Sequence, residues 1–472
     1  MNKSLKALLI TALAVSNLSA GESAQNKTTL VLRSQRNNVA AFTTFHELTK
    51  HKNEDHLDGY VEATSFYGQT TNGTKIGEVF GANGTREINI GTDIQNEHIL
   101  HFTAGTSTLD GTIKFDPKQI VAGTRIDYLQ RLDFLLKGLY ATVNLPVHYI
   151  AQDLNMSIAG EVVGGNASEN IRLKDILSGK SLVRGSDSDN QAPLECAKID
   201  GRHHVLGISD LELSIGYFLW ENKNSHLNFN AGVVFPTSKK PTGEYLWEAR
   251  LGYHKWGAQL GTDVMVKLWE KGETQKMMLH LTGQYTHIFE GTEKRTLGIT
   301  AETISLPFSP YYVIGESGKG TLKPAGNVLT TDVDVEMGGK VELVAALAYT
   351  KGKYTIDLGY NFFWKDDETV ELKTWTDDLY GIADVAFAAD GTVFDLTNAS
   401  HNDLSLNRTN LDTTAAETPS QCTHTLFLAT GYTFLAWKYP VMLGMGASYE
   451  IPTRKCTDGE MYKLWSKIGV AF

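Results

Sequence analysis

The sequence predicts an all-β protein, a transmembrane antiparallel up-and-down β-barrel of about 12–14 strands with long extracellular loops. Three observations support this prediction. The chain opens with a segment typical of secretory leaders, continues with repeated segments of alternating apolar and polar residues, and joins them by connections that are short and long in turn. Each is justified below in chain order.

Composition excludes several other classes of protein. The chain has 472 residues, of which 42% are hydrophobic, with 43 Lys and Arg against 54 Asp and Glu. That apolar content is too high for a disordered chain, and three cysteines cannot make a disulfide scaffold. The acidic balance disfavours nucleic acid as a partner, because phosphate neutralisation needs an excess of basic residues. No apolar run of helical-span length follows the N-terminus, so helical membrane spans are excluded as well.

Residues 1–20 have the order of a secretory signal peptide. Lys3 and Lys6 supply a basic start, Ala7 to Val15 an apolar stretch, and Leu18-Ser19-Ala20 a small-residue exit with cleavage expected after Ala20. We therefore expect export through the inner membrane and, with the barrel prediction, localisation in the outer membrane.

Residues 21–57 differ from the rest of the chain. Val39, Phe42, Phe45 and Leu48 recur at three-residue spacing in a polar context, which predicts a short amphipathic helix. We predict that this segment lies in the periplasm or folds into the lumen as a plug, and the sequence leaves both open.

Residues 58–472 form the predicted barrel, in which apolar and polar residues alternate as they do in strands. In 120–130, for example, Ile120, Ile126 and Tyr128 lie on one face, and Arg125 and Asp127 on the other. A weak extra hairpin between Thr85 and Gly105 would raise the strand count from 12 to 14. The twelve predicted strands are 59–68, 120–130, 138–145, 211–219, 227–235, 258–269, 276–289, 340–350, 354–364, 424–435, 440–450 and 461–472.

Connection lengths favour a membrane barrel over a soluble antiparallel sheet, which would show the same alternation. The connections 221–225, 270–275, 351–353 and 436–439 are tight, whereas 148–207, 290–339 and 365–423 are long. Membrane barrels keep short turns at the periplasmic end and long loops outside, and aromatic residues near the strand ends, such as Trp220 and Trp269, fit interfacial girdles.

The last strand alternates Tyr462, Leu464, Ser466, Ile468 and Val470, and it ends on Phe472. Here the sequence resembles bacterial outer-membrane β-barrel proteins of the porin-like kind. The resemblance implies that Phe472 is an assembly signal read by the barrel assembly machinery, and that outer-membrane lipid surrounds the barrel.

A narrower resemblance covers two short stretches, Gly207-Ile208-Ser209-Asp210-Leu211 and Val234-Phe235-Pro236-Thr237. They are similar to barrels assigned to transport in phenol-degradation pathways, which carry Gly-Asp-Leu, a hairpin and Leu-Pro-Thr-Gly. Two residues separate Gly207 from Asp210 here, and Ser238 replaces the final glycine. The resemblance implies a hydrophobic substrate.

Taken literally, the alternation points both acidic and basic side chains into the lumen. Charges of both signs facing lipid would be costly, so the inward assignment is the cheaper one. The alternative is that these groups form internal ion pairs that plug a narrow barrel. The predicted lumen-lining residues are Glu62, Arg125, Asp127, Tyr140, Asn144, Asp210, Glu212, Asn228, Asn230, Asp263, Lys267, His280, Gln284, Lys340, Glu342, Asp357, Asn361, Lys463 and Lys467.

Known catalytic and cofactor motifs are missing from the sequence. There is no G-x-S-x-G, no H-E-x-x-H and no G-x-x-x-x-G-K, and the spacing of His46, His51 and His56 places them on one face of neither a helix nor a strand. We predict no enzyme activity, no catalytic or metal site and no cofactor.

The sequence therefore predicts a porin-like channel for passive passage of small solutes. Twelve acidic and three basic residues lie between Lys365 and Thr423, so a negative outer loop should make the pore prefer cations. A non-conducting barrel whose loops serve adhesion is the alternative, and a barrel enzyme comes third. Cys422 and Cys456 are expected at the extracellular end, where a disulfide between them is one of three pairings open to the three cysteines.

Overall fold

The structure, a computed structural model, describes residues 25–33, 58–94, 109–163, 173–180, 192–272, 274–301, 304–319, 322–382, 405–435, 438–453 and 456–472. The predicted signal peptide and the predicted helix around Phe42 lie outside these residues.

Twelve strands of the described residues close into an antiparallel barrel, which confirms the predicted fold class. Each strand pairs with the next along the chain, and the last pairs with the first, as Ala63 with Ile468. The strands are β1 (Gly59–Asn72), β2 (Lys118–Arg131), β3 (Leu139–Asp153), β4 (Leu211–Glu221), β5 (Ser225–Phe235), β6 (Gly257–Lys271), β7 (Gln275–Ile288), β8 (Gly339–Lys351), β9 (Tyr354–Lys365), β10 (Gln421–Phe434), β11 (Val441–Pro452) and β12 (Glu460–Ala471).

All twelve predicted strands are present, and several are longer than predicted. β3 continues through Pro146 to Asp153, and its upper half pairs with an additional strand, His203–Ile208, while its lower half pairs with β4. Ser209 and Asp210 separate the two strands, so one wall of the barrel changes pairing partner at this break.

The weak hairpin predicted between Thr85 and Gly105 is wrong as a pair of barrel strands. Glu87–Ile90 instead pairs with Leu109–Lys114, which pairs with Ser157–Val163, in a small separate sheet. Its strands are only four to seven residues long, too short to cross a bilayer. Residues 95–105 lie outside the described part of the chain.

The two ends of the barrel differ as the connection lengths predicted. At the short-turn end, β8 and β9 are joined through Gly352, whose positive φ of 62° suits a tight hairpin. At the long-loop end the connections fold into a cap. Besides the small sheet above, it contains the sheets Gly291–Thr296, Thr330–Glu336 and Thr369–Leu372; Gly298–Ala301, Ile304–Leu306 and Leu411–Asp412; and Val313–Glu316, Leu322–Pro324, Tyr380–Ile382 and Ser405–Leu406.

The helices are short and also lie in the cap. They are α1 (Thr74–Phe80), α2 (Leu173–Leu177) and α3 (Ala325–Leu329), with 3-10 turns at Ser309–Tyr311 and Thr414–Ala416. Within the described ranges, none of these helices has the length and apolar content needed to cross a membrane.

The largest apolar core of the described chain lies in this cap. Ile88, Ile314, Leu329 and Val333 are fully buried there, and residues of every long loop from 73–117 to 366–420 contribute. The N-terminal residues Leu30 and Val31 pack into the same core. The outer loops therefore fold as one body that covers the end of the barrel.

Large side chains inside the barrel are accommodated by glycines on the neighbouring strand. Tyr140 lies opposite Gly216, Phe427 opposite Gly359, and Trp465 opposite Gly446. Each ring occupies the space that a Cβ at the glycine would need. This large–small pairing lets three aromatic rings lie flat against the wall and keeps part of the lumen open.

Candidate functional site in the barrel lumen

The inward faces of the strands are polar and charged, as the alternation predicted. On β1 and β2, Glu62, Arg125 and Asp127 are each less than 8% exposed, while Ile126 and Tyr128 between and beside them are 36–39% exposed. Inward placement keeps these charges away from the apolar outer face.

A cavity of about 240 Å³ occupies the half of the lumen nearest the short-turn end. Its wall combines amides, hydroxyls, carboxylates and imidazoles with a few rings. Ten of the predicted lumen residues line it, namely Glu62, Arg125, Asp127, Tyr140, Asn144, Asn228, Asn230, Asp263, His280 and Gln284.

The cavity also has lining residues that the prediction missed. His226, Gln259, Thr282, Tyr60 and Phe218 all face it. Each is an even number of residues away from a predicted inward residue on the same strand. The alternation therefore already predicted that these five side chains point inward. The prediction selected mainly charged and amide residues and passed over most of the remaining inward positions.

A band of alternating charge crosses three adjacent strands at the cavity wall. Arg125 Nη2 lies 2.6 Å from Asp127 Oδ1, and Lys467 Nζ lies 3.3 Å from Glu62 Oε1. Glu62 and Asp127 are direct cross-strand partners. Two like charges at that position would repel each other, and the two flanking cations offset the repulsion. One oxygen of each carboxylate, Glu62 Oε2 and Asp127 Oδ2, is buried and has no hydrogen-bond partner among the described residues.

A second polar cluster lies on β5, β6 and β7. Asp263 contacts the Nε2 atom of His226 at 2.5 Å and accepts a hydrogen bond of 2.7 Å from the Thr282 hydroxyl. Nearby, the Tyr140 hydroxyl donates to Asn228 over 2.8 Å. Because Thr282 gives its proton to the carboxylate and not to the imidazole, these residues are not ordered as nucleophile, base and acid. They form a hydrogen-bonding surface.

The opposite half of the lumen contains Arg33, a residue that the sequence analysis did not select. Its guanidinium is 5% exposed and donates to Glu342 over 2.6 Å and to Glu450 over 2.9 Å. It also donates to Asn361 and Thr423 and lies 4.4 Å from the centroid of the Phe363 ring. One side chain thus joins the inner faces of β8, β9, β10 and β11, four consecutive strands.

An apolar cluster fills the lumen beside these charges. It includes Phe66, Val121, Ile150, Phe427 and Trp465, drawn from five strands. Glu450 is held from the other side by Lys463, whose Nζ lies 3.4 Å from Oε2. The described interior is therefore wet at the short-turn end and packed toward the long loops.

The remaining predicted lumen residues lie outside the cavity. Glu212 accepts from Asn144 over 3.3 Å, Lys267 pairs with Glu270 near the short-turn end, and the Lys340 ammonium lies 5.5 Å from the Tyr253 ring. Asp357 is fully buried in the wall of β9.

Asp210 lies at the break between His203–Ile208 and β4. It is fully buried and accepts from the Ser238 hydroxyl over 2.7 Å and from the Tyr253 amide over 2.7 Å. Asp210 and Ser238, from the two motif-like stretches, thus connect two segments at the rim.

A buried ion-pair chain joins cap and barrel. Glu293 lies 2.6 Å from Arg295, which lies 2.6 Å from Glu368, and Lys365 at the end of β9 lies 3.0 Å from Glu368. Burial opposes ionisation of Glu368, but Arg295 and Lys365 outweigh it and lower its pKa to about 2. Glu368 was counted among the acids of the outer loop, yet its charge is neutralised inside the protein.

Of the other loop acids, Asp366, Asp367, Glu371, Asp377, Asp378, Asp412 and Glu417 lie in the described residues, whereas Asp384, Asp390, Asp395 and Asp403 do not.

The ends of the chain bear on two further predictions. Phe472 exchanges two backbone hydrogen bonds of 2.9 Å with Gly59, and its ring stacks on Tyr128. Cys422 and Cys456 are both free thiols at the long-loop end, and the Thr453 hydroxyl donates to Cys422 Sγ over 3.1 Å. The disulfide remains a prediction.

Comparison with solved structures found outer-membrane barrels of low sequence identity. No protein-family model and no curated protein matches this sequence. The Pseudomonas putida toluene transporter TodX is 11% identical with a TM-score of 0.36, covering 96% of this chain and 97% of its own. A Pseudomonas aeruginosa FadL homologue is 7% identical with a TM-score of 0.29 and 96% coverage of both chains. The translocator domain of the Neisseria meningitidis autotransporter NalP is 8% identical with a TM-score of 0.30, covering 92% and 94%.

At such low scores, function has to be argued from this chain's own residues.

Proposed function

We propose that this protein is an outer-membrane pore for passive passage of small polar solutes, held closed at its long-loop end by Arg33. The short-turn end then faces the periplasm and the cap faces outward, as in other membrane barrels. The observation that carries the proposal is the polar cavity inside the closed ladder, because a barrel that served only as a scaffold has no need of a wet interior.

The outer surface of the barrel supports the membrane location. Leu206, Leu260 and Leu426 point outward and are 62–69% exposed, although leucine is normally buried in water-soluble proteins. The aromatic residues Trp220, Trp269, Tyr354 and Tyr439 are exposed near the short-turn end, where an interfacial girdle is expected.

The lining favours polar over apolar solutes. The amides, hydroxyls and carboxylates of the wall offer many hydrogen-bonding groups, and an apolar solute entering the cavity would leave them without water or another partner. The hydrophobic substrate implied by the weak sequence resemblance is therefore not part of the proposal.

Conductance in planar bilayers tests the pore and its closure together. We expect low conductance for the natural chain and a severalfold higher conductance for Arg33→Ala, which removes the contacts to four strands. Arg33→Lys keeps the charge and should stay nearly closed. Arg86→Ala, the matched control, removes a half-buried cap arginine that pairs with Asp116. If neither Arg33 variant nor the natural chain conducts, the protein is not a pore.

Cation preference is the finer part of the proposal. Asp366, Asp367 and Glu371 are acids of the outer loop, and carboxylates near an entrance raise the local concentration of cations. Neutralising these three should reduce the reversal potential in a salt gradient at low ionic strength and have little effect near 1 M, where screening lengths are about 3 Å. Glu368 must be left intact because its loss would break the buried ion-pair chain. An unchanged reversal potential would show that this loop does not set selectivity.

A non-conducting surface barrel is the second candidate, and the cap favours it. The loops share a continuous apolar core, so they can present a stable outer surface to a binding partner. Absence of conductance in both Arg33→Ala and a variant lacking most of the cap would favour this alternative.

A further inference from the structure

A recess of about 380 Å³ lies between the strand His203–Ile208 and the segment 239–251. The strand His203–Ile208 forms one side of the recess and pairs only with β3 among the described residues. Its other side is the segment 239–251, held to the strand by a contact of 2.8 Å between His203 Nε2 and the Trp247 carbonyl oxygen. Arg202, Lys239 and Lys240 line this pocket, and we call the site that they form the basic recess.

The other charged groups of the recess are already engaged. Asp200 pairs with Lys180 at 2.8 Å, Glu244 with Lys198 at 2.7 Å, and Arg250 with Glu293 at 2.9 Å. Glu248 accepts from the backbone amides of Thr242 and Gly243 over 2.9 Å.

The three cations of the basic recess have no ion pair with any described residue, and all three are exposed. After the pairs above, Glu248 is the one lining carboxylate without a cationic partner among the described residues. The recess therefore keeps a net positive charge, while the chain as a whole has a formal net charge of −11. Such a local reversal of sign favours an anionic ligand.

The height of the recess on the barrel indicates which anions it meets. Directly below it, Leu206 and Ile208 point outward and are 69% and 46% exposed. Lys239 and Lys240 follow Phe235, whose ring packs 5.0 Å from Trp256, an exposed aromatic at the same end of the barrel. Apolar and aromatic residues mark the bilayer edge, so the cations lie at the level of the lipid headgroups.

The floor of the recess is ordered by stacking. The rings of His203 and Tyr245 are parallel with centroids 4.0 Å apart, and the Lys198 ammonium lies 5.2 Å from the Tyr245 ring. A rigid floor beneath one guanidinium and two ammonium groups suits tetrahedral phosphate oxygens, which an arginine can bind through two parallel hydrogen bonds.

We infer that the basic recess binds the phosphate groups of an anionic lipid headgroup in the outward-facing leaflet. The basic recess shares no lining residue with the lumen cavity, and the inference does not depend on whether the barrel conducts. It requires only that the long-loop end face outward.

Native mass spectrometry of the full chain in detergent tests the inference, with lipid A, which carries two phosphates, as the ligand. We expect one tightly retained lipid A per chain and a loss of affinity of about tenfold or more in Arg202→Gln/Lys239→Gln/Lys240→Gln. The matched control is Lys271→Gln/Lys351→Gln/Lys353→Gln, which removes three exposed lysines at the short-turn end and should leave affinity within about twofold. Retained heat-modifiable migration in gels shows that both triple variants fold.

Two further ligands distinguish the sources of phosphate. Zwitterionic phosphatidylcholine should bind equally to all three proteins, and millimolar inorganic phosphate should displace little lipid A. Equal loss of lipid A in both triple variants would show nonspecific attraction and overturn the inference. Complete displacement by inorganic phosphate would also overturn it, because the site would then recognise free phosphate.

Discussion

The barrel lumen and the cap are two interiors built on opposite rules. In the lumen, Asp357, Asn361 and Lys467 are 0–3% exposed, and charged groups are buried against one another. In the cap, Ile314 and Val333 are fully buried among other apolar side chains. The difference reflects the surroundings of each part. The cap excludes water as soluble proteins do, whereas the barrel presents its apolar residues outward and must keep its polar ones inside.

Deleting Phe472 should have the largest effect, because it acts on the barrel and, through it, on the cap. The residue closes β12 on β1 through two hydrogen bonds with Gly59, and by resemblance it is the signal for assembly. We expect folded, heat-modifiable protein in the outer membrane to fall severalfold or more. Phe472→Tyr, which keeps the ring, should assemble nearly normally. Undiminished assembly of the deletion would contradict the assembly role.

Ile314→Asp should separate the two interiors. A carboxylate at this fully buried position costs several kcal/mol, because the ammonium of its cross-strand neighbour Lys323 is already paired with Glu316. We expect rapid proteolysis of the outer loops while the barrel keeps its heat-modifiable migration. Ile314→Val, which loses one methyl group, should behave almost as the natural chain. If barrel and cap are lost together, they are one cooperative unit and the comparison fails.

Leu428→Arg should show that an exposed position on the barrel faces lipid and not water. This leucine is 56% exposed at the middle of β10, a position where arginine would be harmless in water. Facing lipid, it should lower the free energy of unfolding by about 2–4 kcal/mol. Leu428→Ala serves as the control for lost side-chain volume. Denaturant unfolding in lipid vesicles measures the free energy of unfolding of both variants. Equal losses in Leu428→Arg and Leu428→Ala would argue against lipid contact.

Asp458 should give a smaller, pH-dependent effect at the junction of the two interiors. Burial, with the nearby charge of Glu450, raises its pKa to about 7, and its Oδ2 atom has no hydrogen-bond partner. Arg33 and Lys365 oppose this shift, and the Cys422 thiol also faces the group. Because the folded state favours the protonated form, stability is complete below the unfolded pKa of about 4 and falls as pH rises through 7.

We therefore expect the Tm of the natural chain to drop by several degrees between pH 5 and pH 8. Asp458→Asn should remove much of this drop, and Asp332→Asn, at an exposed cap position, should not. A pH dependence unchanged by Asp458→Asn would rule out this carboxyl as its source.

The cysteine pair should give the smallest effect. The nearness of the Cys422 and Cys456 thiols allows a disulfide in an oxidising compartment, but the paired strands β11 and β12 already hold the loop that carries Cys456 in place. Mass spectrometry of non-reduced protein should find this bond, and Cys196→Ser should not disturb it. Finding both thiols free would dispose of the pairing.

The sequence predicted the barrel well because its signal is local. Inward and outward residues alternate within each strand, so Glu62 and Ile126 could be assigned without knowing their neighbours. Strand ends were less predictable, since β3 runs on past Pro146, where it stays paired with β2 and takes His203–Ile208 as its partner on the other side.

The cap and the closure of the lumen could not be predicted. Their contacts join residues far apart in sequence, and no periodic pattern marks them. Glu368 looked like one more loop acid until Arg295, 73 residues away, was seen to neutralise it. Arg33 lies in a segment with no strand pattern, and its partners are distributed over four strands.

The placement of Arg33 also orders events in time. Its partners Glu342 and Glu450 follow it by 309 and 417 residues, and Gln421 donates to the Val31 carbonyl oxygen across 390. Loop closure over such distances is slow, and these acceptors come together only when β8 to β11 are side by side. The stretch that precedes every strand in the chain is therefore among the last to find its place.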